Sequence, residues 1–175
     1  GRLWINDSKA TNIDATLAAL RTYPGQKIHL ILGGDDKGVE LEELFGPMRK
    51  YDVNVFAIGA NAQRLKALCD QYALPCTLCH TLDVAVSEID RVLDDKSLAM
   101  LSPAAAEPTR LMPMLDPSWL GLIATTGPTR SSTSSHGVCA VTCMKGGVGR
   151  PSPRHICLLI CLSIASAEAS APLPV

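Results

Sequence analysis

Aromatic side chains are scarce in this chain. Two Phe, three Tyr and two Trp make up 4% of its 175 positions. Net charge is nearly absent too, with 16 Lys and Arg against 17 Asp and Glu, a formal −1. A balance this even offers no electrostatic case for nucleic acid or for a membrane surface as partner. The N-terminus lacks the basic, apolar and small-residue regions of a secretory signal. The apolar stretch at residues 155–167 is too short for a bilayer, which needs about 20 residues. No internal repeat is present. The seven Cys follow no framework spacing, and without an export signal they are expected to be reduced thiols in a cytoplasmic protein. Gly1 stands where an initiator Met would be, so the chain reads as a fragment.

What is present divides into two unlike halves. Apolar content of 47% suffices for a core, and 175 residues suggest one domain with a tail. Residues 1–106 carry 25 of the 33 charged residues, together with every Phe, Tyr, Asn and Gln. Residues 107–175 carry eight charges but eight of the twelve Pro, with a Ser/Thr-rich cluster at 129–135. Such a break reads as a domain boundary near Ala106.

The first half alternates between two periodicities. Short apolar runs at 3–5, 28–32, 53–58, 75–78 and 98–101 read as strands. Between them lie helical stripes: Ile13, Leu17 and Leu20; Leu41, Leu44, Phe45 and Met48; Leu65, Leu68 and Tyr72; Val86, Ile89 and Leu93. Thr11 to Asp14 has the spacing of a capping box, and Asp83 is placed to cap the last helix. Pro24 and Gly25 turn the chain after the first helix. The order βαβαβαβαβ predicts an α/β Rossmann-like, mostly parallel sheet with helices on both faces, followed by an irregular tail. Ligands of such sheets sit at the carboxyl ends of strands.

Three polar motifs fall at those ends. Asn6, Asp7, Ser8, Lys9, Ala10, Thr11 and Asn12 occupy the turn from the first strand into the first helix. Outward-pointing N–H groups and the helix dipole favour an anion there. Lys9 adds a positive charge, Ser8 and Thr11 add hydroxyls, and Asp7 suits a ribose hydroxyl or a metal. Leu32, Gly33, Gly34, Asp35, Asp36, Lys37 and Gly38 close the second strand. The glycines let backbone approach a ligand, and Lys37 suits a carboxylate or phosphate. Leu101, Ser102, Pro103, Ala104, Ala105 and Ala106 close the fifth.

In this order and spacing the three motifs resemble those of the C-terminal domain of the Mur ligase family, in its D-glutamate-adding form. The resemblance covers residues 1–106 and stops there. It implies an ATP-dependent ligase that joins D-glutamate to UDP-N-acetylmuramoyl-L-alanine in peptidoglycan biosynthesis. It implies that ATP and Mg2+ are held mainly by a central domain, that an N-terminal domain precedes it, and that the enzyme is a monomer. In the family, the residues matching Thr11 and Lys37 bind D-glutamate. The residue matching Asp7 contacts the nucleotide ribose, and that matching Lys9 lies near the transferred phosphate and is the catalytic candidate. No metal ligand is implied in this segment. Two other readings remain: a sibling amino-acid ligase such as folylpolyglutamate synthase, and a non-catalytic nucleotide-binding or interaction module on the same sheet.

Other motifs fit their chemistry poorly. Cys76, Cys79 and His80 have the spacing of a haem-attachment or redox motif, but inside a βα repeat they read as structural cysteines. Lys145, Gly146, Gly147, Val148, Gly149 and Arg150 approach a phosphate loop. Arg150 and Pro151 replace its essential Lys and hydroxyl residue, and no convincing strand precedes it. Cys139, Cys143, Cys157 and Cys161, with His136 and His155, have loose spacing for zinc.

The resemblance ends abruptly. The family continues with a Ser, an Asp and two Phe on a helix, where this chain has Glu107, Pro108 and no further Phe. An abrupt change of composition at one residue is the expected product of a shifted reading frame. Residues 107–175 then form a non-homologous tail, disordered or poorly packed, with a genuine appended domain as the competing reading. The face normally covered by that helix is expected to lie bare.

Overall fold

The alternating pattern folds as the sequence implies. A computed structural model describes residues 3–7, 10–34 and 40–104, and the strand at 141–143. The elements run β1 (Leu3–Asn6), α1 (Ile13–Arg21), β2 (Lys27–Gly34), α2 (Glu42–Met48), β3 (Val53–Gly59), α3 (Ala62–Gln71), β4 (Cys76–His80), α4 (Leu82–Val92), β5 (Ser97–Leu101) and β6 (Val141–Cys143). They form one sheet in the order β4-β3-β2-β5-β1-β6. The first five strands are parallel to their neighbours, and β6 is antiparallel to β1.

The central strands β2, β3 and β5 are buried on both sides, which is why their sequences are almost continuously apolar. Alternate residues feed two cores. Ile28, Leu30 and Leu32 of β2 meet Leu17 and Leu20 of α1, Leu44 and Phe45 of α2, and Leu65 and Leu68 of α3. On the other face Ile31 joins Trp4, Phe56, Ala99 and Leu101 against Leu82, Val86 and Ile89 of α4. Trp4, Ala99 and Leu101 on this face are 4%, 0% and 1% exposed. Among the described residues the exposed large hydrophobics are Val84 and Val92.

The connections α1, α2 and α3 lie on one face, and the return through α4 lies on the other. The direction of winding reverses where β5 inserts between β2 and β1. The carboxyl ends of strands at such a reversal are the usual ligand position in an open α/β sheet.

Several local expectations change. Asn12, not Thr11, caps α1: its backbone is extended and its Oδ1 accepts from Ala15 N at 2.8 Å. The cap oxygen reaches the third helical N–H, so the one-residue difference decides which side chain serves. Thr81 occupies the cap position of α4 without a side-chain bond, and Asp83 lies in the first turn, where a carboxylate still favours the dipole. β4 begins and ends later than its apolar run, because Pro75 has no N–H to donate and a register shift near Ala57 and Ile58 carries pairing on to His80. A strand, β6, does precede Lys145. The loop at 145–150, the apolar run at 155–167 and, apart from Cys143 at the end of β6, the cysteines and histidines of the loose zinc pattern lie outside the described residues.

Candidate functional site

The three motifs meet because their strands are parallel neighbours. Asn6 pairs with Leu101 and Ile31 pairs with Leu101 across β5, so the ends of β1, β5 and β2 form one rim. Backbone bonds stitch the rim together. Asp7 N donates to Leu101 O (2.9 Å), Ser102 N to Ile31 O (3.1 Å), Gly33 N to Pro103 O (3.4 Å) and Ala104 N to Ala10 O (2.9 Å). The third motif is thus the seam between the other two.

Asp7 follows β1 and is 5% exposed. Its Oδ2 accepts from Ser102 Oγ at 3.3 Å, and Ser102 Oγ lies 3.0 Å from Thr16 Oγ1 of α1. Ser102 and Thr16 are fully buried. Burial raises the Asp7 carboxyl to about 6, while the Ser102 hydrogen bond holds it down. The phenol of Tyr23 is pushed up by its own burial and then by the charge of Asp7. Thr11 is exposed at the start of α1, on the rim. Lys9 and Lys37 lie outside the described residues, on the segments that leave Asp7 and Gly34.

The second motif is pinned from below. Asn61, 2% exposed, accepts from Gly34 N with its Oδ1 at 3.1 Å. Gly33 adopts φ +112, and a Cβ there would stand 2.3 Å from Ile58 O and 2.8 Å from Asn61 Oδ1. Only glycine lets this strand end pass so close to its neighbour. Sequence reasoning assigned no role to Thr16, Asn61 or the Ser102 hydroxyl. The available signal was polarity in an apolar setting: Thr16 sits on the buried stripe of α1 beside Leu17, and Asn61 opens α3 just past a strand end.

Cys76 and Cys79 point to opposite layers: Cys76 packs against the first core and Cys79 belongs to the second. Both are free thiols, as is Cys69. Among the described residues no three His, Cys, Asp or Glu side chains converge as a metal site. Nor, among them, is any helix long and apolar enough to cross a membrane.

No model of a known protein family matches the chain. Individual proteins do. Over 106 residues the chain is 53% identical to the UDP-N-acetylmuramoylalanine–D-glutamate ligase of Helicobacter pylori strain 26695, covering 61% of this chain and 25% of the relative. A segment of this chain is homologous to a D-glutamate ligase. The namesake from Campylobacter jejuni strain RM1221 is 46% identical over 105 residues, covering 60% of this chain and 26% of its own length. That from Aliivibrio fischeri strain MJ11 is 37% identical over 107 residues, covering 61% and 23%. The chain spans about a quarter of the length of these ligases.

Proposed function

We propose that residues 1–106 are the C-terminal, glutamate-binding domain of a ligase that adds D-glutamate to UDP-N-acetylmuramoyl-L-alanine in cytoplasmic peptidoglycan synthesis. The observation that carries this reading is the stitched rim, where the motif of Asp7, Lys9 and Thr11 leaves the end of β1 and the motif of Lys37 leaves the end of β2, with the end of β5 joining the two. The names of the homologous ligases supply the chemistry.

In this reading ATP, bound with magnesium, supplies the phosphoryl group that activates the substrate carboxylate. The D-glutamate amino group then displaces phosphate, forms the amide and releases a proton. The residues present suit part of that task. The Asp7 carboxylate, buried and held by one hydroxyl, fits a ribose diol, and Thr11 and Lys37 offer a hydroxyl and an ammonium to the D-glutamate carboxylates. Lys9 approaches the transferred phosphate as the catalytic residue. Magnesium, with most of the ATP, is held in this reading by the central domain of the enzyme, outside this segment. The enzyme works as a monomer.

Lys37→Ala in the intact ligase is expected to raise the KM for D-glutamate and leave that for ATP near its starting value. Loss of one charge-assisted bond costs about 1.5–3 kcal/mol, on the order of tenfold to a hundredfold in KM at about 1.4 kcal/mol per decade. An unchanged D-glutamate KM overturns the assignment. The chain by itself is expected to be inactive, because nothing in residues 1–106 supplies a phosphate-binding loop. Steady ATP hydrolysis by the purified chain, abolished by Lys145→Ala, would instead give the 145–150 segment a function. A nucleotide-binding module without catalysis is the reading left if the gene encodes no in-frame phosphate loop upstream.

A further inference from the structure

We propose that Ser102, backed by Thr16, is the positioning residue of the nucleotide site: its hydroxyl occupies one oxygen of Asp7 and leaves the other to receive the ribose. The inference rests on the assignment of Asp7 to the nucleotide, but the geometry behind it does not.

Ser102 is fixed on every side. Its own N–H is bonded to Ile31 O at 3.1 Å, and the next residue, Pro103, accepts from Gly33 N at 3.4 Å. The preceding carbonyl, Leu101 O, accepts from the backbone N–H of Asp7 at 2.9 Å. The Asp7 main chain and side chain are thus both held by consecutive residues of one seam. A fully buried hydroxyl on a backbone held this way, with Thr16 on its other side, sets the orientation of the carboxylate it bonds.

Proton counting gives the pair its direction. Each hydroxyl has one proton to donate. When Asp7 is ionised, Ser102 donates to Oδ2, so the 3.0 Å contact requires Thr16 to donate to Ser102. When Asp7 carries a proton on Oδ2 the chain reverses. Asp7 donates to Ser102, Ser102 to Thr16, and Thr16 to Asn12 O, 3.3 Å from its Oγ1. Both states satisfy every hydroxyl, and only the ionised state keeps the carboxylate a pure acceptor. Its Oδ1 has no hydrogen-bond partner among the described residues. A ribose hydroxyl is a donor of the kind that oxygen takes. A carboxylate kept buried at a strand end, against the cost of burial, is commoner at a working site than in a scaffold, where an amide would serve.

The test has two arms. In this chain, the Asp7 carboxyl is followed by carbon-13 NMR, with Asp7→Asn assigning the signal. Among the described residues Tyr23 is the other titratable group coupled to Asp7, and its phenol ionises well above the range of the carboxyl. Ser102→Ala is expected to move the Asp7 midpoint upward and Ser102→Thr to restore it. In the intact ligase, Ser102→Ala is expected to raise the ATP KM about tenfold, the loss of one hydrogen bond to a charged group. The D-glutamate KM is expected to stay put, and Ser102→Thr to recover the ATP KM. If Ser102→Ala does not fold, Thr16→Val, which removes the second hydroxyl only, takes its place with the same signs and smaller shifts. Unmoved Asp7 midpoint and unmoved ATP KM overturn the proposal. An ATP KM indifferent to Asp7→Asn overturns the assignment of Asp7 itself, separately from the role of Ser102.

Discussion

At the scale of single residues, the rim is marked by groups that cost stability. Asp7 has a carboxyl at about 6 in the fold against an ordinary 3.8. The folded protein therefore holds the proton more tightly than the unfolded chain. The burden of the buried charge is fully present above about pH 6 and gone below about pH 4, so on this account stability falls as pH rises through that window. Asp7→Asn removes the charge and keeps an oxygen for Ser102. A tenfold change in proton affinity corresponds to about 1.4 kcal/mol. The substitution is therefore expected to stabilise the chain by roughly 1–3 kcal/mol at pH 8 and to be neutral near pH 4. Urea midpoints at the two pH values measure this, and an equal effect at both would show that the charge is not the cause. The sequence announced Asp7, Thr11 and the two lysines because they stand out as polar groups in a turn. Ser102 stood in the third motif without an evident task, because its partners are 95 and 86 positions away. A hydrogen bond at that separation has no local signature.

At the scale of elements, hydrophobic period carried the reading. Five strands and four helices were legible because β2, β3 and β5 are buried on both faces and α1 and α4 on one. Boundaries were less legible, since a cap is chosen by backbone geometry that neighbouring polar residues do not distinguish, as Thr11 and Asn12 show. Glycine at strand ends was legible as a signal but not in its reason. Gly34 and Gly59 are register partners, and a Cβ on Gly59, at φ +80, would lie 2.2 Å from Gly34 O and 2.5 Å from Gly34 Cα. Backbone atoms of a paired strand cannot yield as a flexible side chain does. Gly59→Ala is expected to cost more than about 3 kcal/mol, a figure reserved for changes that force strain on a packed backbone. Asn12→Ala, which only removes a cap, is expected to cost about 1 kcal/mol. Thermal or urea unfolding of the two variants orders them. A Gly59→Ala variant as stable as Asn12→Ala would mean that the β2–β3 ends part readily, and with them the support of Lys37.

At the scale of the whole molecule, two compositions share one chain. The half with alternating periodicities contains every described helix and five of the six described strands. The other adds, among the described residues, the three-residue β6 against β1. Homology follows the same division, with 60–61% of the chain matched in relatives as far apart as 53% and 37% identity. Divergence within a family erodes similarity gradually along its length, whereas a shifted reading frame ends it at one codon and replaces the composition with that of an unselected frame. The loss of every Phe, Tyr, Asn and Gln after Ala106 has the second form. We therefore propose that residues 107–175 are read from a shifted frame, and the coding DNA decides it. One of the other two frames, just past the Ala106 codon, should encode a Ser, an Asp and two Phe at the spacing of the family's final helix. Restoring that frame should raise the unfolding midpoint of the domain. Absence of such a helix from both frames, with cooperative unfolding of residues 107–175 on their own, would make the tail a domain in its own right.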